Sequence, residues 1–224
     1  MKAELFIEKA LSITKLKTVY MWGTFGSTVS DALIKQKAKQ YPRNYSASKQ
    51  QALAKLIGTH YAFDCVGLIK GILWGWNGDR TKTYGGAKYT SNNVPDIDAN
   101  VMIKSCKNVS LDFKNILPGE VVWLQGHIGI YIGGGKVVEA TPSFSDGVQI
   151  TALGNLGDIK GLPSRKWTSH GQLPWVEYSA KEEEWIGILK SKVNQPDDWI
   201  KFVEKNKNDP MGKWLPQLII ALDK

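Results

Sequence analysis

Histidine and cysteine are scarce in this chain of 224 residues, which has three of the first and two of the second. The cysteines, Cys65 and Cys106, form no C-x-x-C, and the acidic residues are scattered without metal-ligand spacing. No metal or other cofactor is therefore expected. Apolar runs fall far short of a membrane span. The opening MKAELFIEKALSITK carries Glu4 and Glu8 where a signal peptide needs an uninterrupted apolar core. The chain is thus expected to be made in the cytoplasm without export through a signal peptide, with both thiols free. Zinc-finger spacing and basic helical repeats are missing too, which sets nucleic acid aside as a partner.

What is present is aromatic and basic. Nine tryptophans are many for this length; most belong in a core, and the rest suit stacking on sugars. The formal charge of +8 is uneven. Residues 1–179 hold 21 basic against 13 acidic residues, whereas 180–224 hold eight of each. A basic body attracts polyanions, among them the anionic polymers of a bacterial wall.

Periodicity divides the chain. Residues 2–15 read as an amphipathic helix, and TVYMWGTFG (18–26) then breaks into glycines. Two further helical patterns, DALIKQKAKQ and SASKQQALAKLIG, flank YPRNY. Asp64 is a natural N-cap for a helix over about Cys65 to Trp74, and residues 77–100 read as an irregular loop. After ILPGE the period changes from 3.6 to 2. EVVWLQ, HIGIYIG, KVVEAT and GVQITAL read as strands, with a tight hairpin at GGG (133–135) and a longer one at PSFSDG. Helices followed by an antiparallel sheet imply an α+β domain over 1–179. Beyond a boundary near 180, NQPDDWIKFVEKNK and NDPMGKWLPQLIIAL open on helix-start signatures, so 180–224 reads as a helical segment for wall targeting or assembly.

The chemistry centres on Cys65. A helix N-terminus favours thiolate over thiol, and Cys65 follows the cap directly. A base must take its proton, and the order of candidates is His127, His60, then His170. His127 opens the strand HIGIYIG after a glycine. A hairpin pivoting about Gly134 pairs 129 with 139, which puts Glu139 diagonal to His127 on the same face. A lone Glu in an apolar strand either faces outward at an edge or needs such a partner. IYIGGGKVV lacks both ends of a phosphate-binding loop.

The stretches VYMWG, FDCVGLI, LPGEVVW and HIGIYIGGGKVVEA, in this order and spacing, resemble the NlpC and p-sixty family of papain-like cell-wall cysteine peptidases. WTSHGQLPWVEY (167–178) is similar to a segment of phage-encoded members. The resemblance covers about residues 5–150. It implies a papain-like domain with Cys65 as nucleophile, His127 as general base and Glu139 as the group orienting it. Tyr20, Trp22 and Asp64 stand at the substrate side, and the Cys65 N–H is an oxyanion donor. Glu139 replaces the His, Asn or Gln usual in the family, which should make His127 more basic. Val66 replaces the serine that, beside Asp64, binds the amino end of free stem peptides. Residues 28–61 are an insertion, expected to form a helical flap.

The implied activity is hydrolysis of peptidoglycan, at the bond between a D-γ-glutamyl residue and a diamino acid. An N-acetylmuramoyl-L-alanine amidase is the alternative, and a non-catalytic wall-binding or phage structural protein and an acyltransferase are the rivals. The expected setting is a phage or prophage lysin that meets the wall after release through a holin.

Overall fold

The computed structural model describes residues 1–178, 196–206 and 216. The chain divides into two compact units, Met1–Glu177 and Tyr178–Lys224.

The first unit is α+β. Helix α1 (Ala3–Thr14) buries Ala3, Phe6, Ala10 and Ile13, a stripe at alternating three- and four-residue spacing. Strands β1 (Thr18–Tyr20), β2 (Phe25–Thr28) and β3 (Tyr61–Phe63) make a small sheet in the order β1-β3-β2. The glycine-rich 18–26 stretch does not suggest this sheet. Pairing across it brings residues 18–20 beside 61–63, which are distant in sequence.

Between β2 and β3 lie α2 (Asp31–Gln40) and α3 (Ala47–Ala54), capped by the hydroxyls of Ser30 and Ser46. This 28–61 segment is not a detachable flap. Leu33, Ile34, Tyr45 and Leu53 share one buried cluster with Val19, Met21 and Ala62, so removing the segment would uncover the small sheet.

Helix α4 (Cys65–Leu73) starts one residue after β3, and all nine of its residues are buried. It packs against β2, β6, β7 and α1. Asp64 is its cap, accepting the Gly67 N–H at 2.5 Å. Gly67 is needed here, because a Cβ would lie 1.9 Å from the Thr24 carbonyl oxygen. The loop after α4 buries Trp74 and Trp76, whose indole N–H groups donate to the carbonyls of Val94 and Gly26. Helix α5 (Ala99–Lys104) follows.

The second sheet has seven strands in the order β4-β10-β5-β6-β7-β8-β9. Its centre is a meander of β5 (Val121–Leu124), β6 (His127–Gly133), β7 (Lys136–Thr141) and β8 (Gly147–Leu153), antiparallel throughout. β10 (Ser169–Gln172) and β4 (Lys107–Ser110) extend one side, and the two-residue β9 (Ser164–Arg165) joins β8 in parallel. The GGG hairpin closes as its sequence requires, with φ of +88°, +58° and +70° at Gly133, Gly134 and Gly135. Ile130 pairs with Val138, the register of a pivot about Gly134, and an irregularity is confined to the tip.

Of the second unit, α6 (Pro196–Lys205) is described; Trp199 and Phe202 pack edge to face on it, and Trp199 is half-exposed. The helix expected over NDPMGKWLPQLIIAL lies, residue 216 apart, outside the described residues, as do Trp185 and Trp214.

Candidate active site

The site forms where the N-terminus of α4 meets the start of β6. The Cys65 Sγ lies 3.9 Å from the carbonyl oxygen of Gly126, the residue before His127. The backbone N–H groups of Val66 and Ile128 and the Tyr20 hydroxyl also act on the thiol, each favouring the thiolate. They do not prevail. Burial, reinforced by the Asp64 charge, pushes the thiol up to about 12. The helix start was expected to favour a thiolate; desolvation outweighs it, and the resting group is a thiol.

His127 is held on two sides. Its Nε2 lies 2.5 Å from Glu139 Oε2, and its ring stacks on Trp167 at 5.3 Å with a 12° tilt. Gly129 makes the stacking possible, because a Cβ there would lie 2.7 Å from Val137 Cγ1 and 3.2 Å from the Trp167 ring. With Nε2 committed to Glu139, Nδ1 is the nitrogen left for proton transfer.

Glu139 is completely buried on β7. Besides His127 it accepts from the Thr151 hydroxyl at 2.7 Å and from Arg165 Nε at 3.1 and 3.3 Å. Arg165 also donates to the Thr141 hydroxyl at 3.3 Å and lies over the Phe144 ring. Burial alone would raise the Glu139 pKa, but His127, Thr151 and Arg165 together hold it below the usual carboxylate range. The pair expected from strand parity is therefore part of a larger network. Arg165 shares the Glu139 charge, which weakens the argument that a carboxylate at this position must make His127 more basic.

Asp64 is spent on the backbone. One oxygen takes the Gly67 N–H and the other the Gly23 N–H at 2.7 Å, which fixes the YMWG turn against α4. Tyr20 reaches Cys65 through its hydroxyl, and its own pKa is raised by burial and by the nearby Cys65 and Asp64 charges. Trp22 is 41% exposed, and its carbonyl accepts from the Tyr45 hydroxyl at 2.7 Å.

The other two histidines are engaged elsewhere. His60 Nδ1 bonds the Thr59 hydroxyl at 2.8 Å. His170 is buried against Glu120 through Nδ1 and donates from Nε2 to the Asp112 carbonyl oxygen at 3.0 Å. Sequence reasoning missed Arg165, Thr151 and Trp167 as parts of the site. Only the WTSHG segment hinted at Trp167, and nothing local marks the other two. Both cysteines are free. Among the described residues no group of His, Cys, Asp and Glu is placed to hold a metal, and no helix is long and apolar enough to cross a membrane.

No protein-family model matches the chain, and no curated protein matches it. Solved structures do. The P60 domain of an M. avium subspecies paratuberculosis antigen is 15% identical, over 79% of this chain and 98% of its own, with a TM-score of 0.41. NlpC1 of Trichomonas vaginalis is 15% identical over 76% of this chain and 44% of its own, with a TM-score of 0.40. NlpC2 of the same organism is 18% identical over 75% and 46%, with a TM-score of 0.38. The chain thus spans less than half the length of the two T. vaginalis proteins.

Proposed function

We propose that the protein is a cysteine peptidase that hydrolyses an amide in the stem peptide of bacterial peptidoglycan. The observation carrying this reading is the fully buried Glu139 bonded to His127 at a strand start that meets the helix bearing Cys65. A carboxylate, an imidazole with one free nitrogen and a thiol at a helix N-terminus make a nucleophile, its base and the group orienting that base.

In the proposed reaction, His127 Nδ1 takes the Cys65 proton as Sγ attacks the scissile carbonyl carbon. The raised thiol makes this transfer necessary, since little thiolate exists at rest. The carbonyl oxygen becomes an oxyanion and accepts the Cys65 backbone N–H, one of the donors left unpaired at a helix start. Collapse of the adduct breaks the C–N bond, and His127 returns its proton to the leaving amine. Water, deprotonated by His127, then attacks the thioester carbon and releases the acid and the free thiol. Glu139 keeps Nε2 protonated throughout, stabilises the imidazolium and sets the ring plane.

The bond is the D-γ-glutamyl to diamino-acid linkage, and the setting is a phage or prophage lysin reaching the wall after release through a holin. Turbidity of purified walls, followed for wild type and Cys65→Ala, tests the chemistry; equal clearing by both would sink it. Mass mapping of the released fragments separates this cleavage from the N-acetylmuramoyl-L-alanine amidase alternative. A wild type that binds walls without cutting them would be a non-catalytic wall-binding protein.

A further inference from the structure

Two cavities meet at Gln36 and Tyr84. The smaller, about 390 Å³, is lined by Asp64 and Val66 on either side of the nucleophile. The larger, about 700 Å³, lies between α2 and the loop 80–84 and shares only Gln36 and Tyr84 with the first. Its volume is within the range of about 300–1,000 Å³ found for small-molecule sites. Much of its wall comes from the 28–61 segment, the part of the domain for which the family resemblance does not account.

The lining of the larger cavity sorts by chemistry. Val29 and Leu33 give it a buried apolar floor. No carboxylate lines it, and its two cations are engaged. Arg80 donates from Nη1 and Nη2 to the carbonyls of Gly58 and Thr59 at 2.6 and 3.1 Å, and Lys82 pairs with Asp79 at 3.5 Å. The groups left over are neutral. Among the described residues the Gln36 amide and the hydroxyls of Ser27, Thr83 and Tyr84 have no hydrogen-bond partner. Tyr84 has a φ of +60°, in the left-handed region that a non-glycine residue avoids, and its ring packs on Phe25 at 4.4 Å. Such outliers gather where a ligand is held.

We propose that the larger cavity binds an N-acetylated sugar of the glycan strand, so that a stem peptide still attached to its glycan is held at two points. Each part of such a sugar has a counterpart. The acetamido methyl meets the apolar floor, the amide meets Gln36, which both donates and accepts, and the ring hydroxyls meet Ser27 and Thr83. A phosphate polymer would instead need cations with donors to spare. The inference rests on the peptidase reading and deepens it. There the amino end of the stem peptide lies beside Asp64 and Val66, and the sugar to which that end is joined in intact wall falls beyond Gln36 and Tyr84.

The test uses the full chain carrying Cys65→Ala and, as probe, a β-1,4-linked tetramer of N-acetylglucosamine, followed by amide NMR shifts. Saturable binding is expected, with shifts centred on residues 27–36 and 80–84. Ala32→Arg, at an exposed helix position lining only the larger cavity, fills it and should weaken binding about ten-fold or more. Thr83→Ala, on the exposed loop, should weaken it about three-fold and keeps the test readable if the first variant fails to fold. In the active enzyme a disaccharide-linked stem peptide should have a KM about ten-fold below that of the free peptide, a ratio that Ala32→Arg removes. No binding at millimolar tetramer, unchanged affinity in both variants, equal KM for the two substrates, or tighter binding of a glycerol-phosphate oligomer at the same residues overturns the proposal. The peptidase reading fails separately, through equal clearing of walls by wild type and Cys65→Ala, an outcome that leaves tetramer binding untouched.

Discussion

The seven-stranded sheet buries two histidine–carboxylate pairs, and they differ in what each ring has left over. His170 is closed: Glu120 holds Nδ1, the Asp112 carbonyl faces Nε2, and Gln172 donates to the second Glu120 oxygen at 3.0 Å. His127 is half closed, with Glu139 on Nε2, Trp167 on one face and, among the described residues, no partner on its other nitrogen. Both pairs rigidify the fold, but only a ring with an unsatisfied nitrogen can move a proton during a reaction. An imidazole–carboxylate pair alone therefore does not mark an active site; the spare nitrogen does.

Four changes probe that contrast. The largest effect is expected from His127→Ala, which should lower kcat for wall hydrolysis by about a thousand-fold or more while the melting temperature moves little by comparison. His170→Ala should do the reverse. Leaving Glu120 buried with only Gln172 as a donor costs on the order of 3 kcal/mol, read as a fall in urea midpoint, with kcat of the folded fraction near wild type. If His170→Ala abolished turnover at full stability, the division between the two pairs would be wrong.

Arg165→Met comes next. It removes one of the groups that hold the Glu139 pKa down, so protonation of Glu139 and with it the acid limb of the pH–rate profile should move to higher pH. A purely structural arginine would lower the amplitude and leave the limb in place.

The smallest effect concerns acid stability. The folded Glu139 is held below the unfolded carboxylate value of about 4.3. Its contribution is therefore present above that value and lost as pH falls through the lower folded pKa. The stability gap between wild type and Glu139→Gln should be full near neutrality and close in strong acid. A gap that stays constant down to about pH 2 would mean that the Glu139 charge does not contribute.

Much of this arrangement was legible in the sequence because it is local or periodic. Asp64 as a cap, α4 after it and the GGG hairpin follow from cap chemistry, helical spacing and glycine's tolerance of positive φ. Strand parity then placed Glu139 on the same face as His127. The small sheet was not legible, because β1 and β3 are three-residue strands more than forty residues apart whose pairing depends on the core formed with α2 and α3. Nor was the helical segment's role legible. Its amphipathic helices suggested a flap, whereas Leu33, Ile34 and Leu53 are built into the domain core.

The sequence by itself determined where the thiol, the imidazole and the carboxylate lie along the chain, because caps, turns and alternation act over a few residues. Only the tertiary structure decided their state. Burial outweighs the helix start at Cys65 and leaves a thiol. Arg165, brought in by a two-residue strand from beyond the hairpin, shares the Glu139 charge. Desolvation and charge pairing depend on everything packed around a group, and no local pattern carries that information.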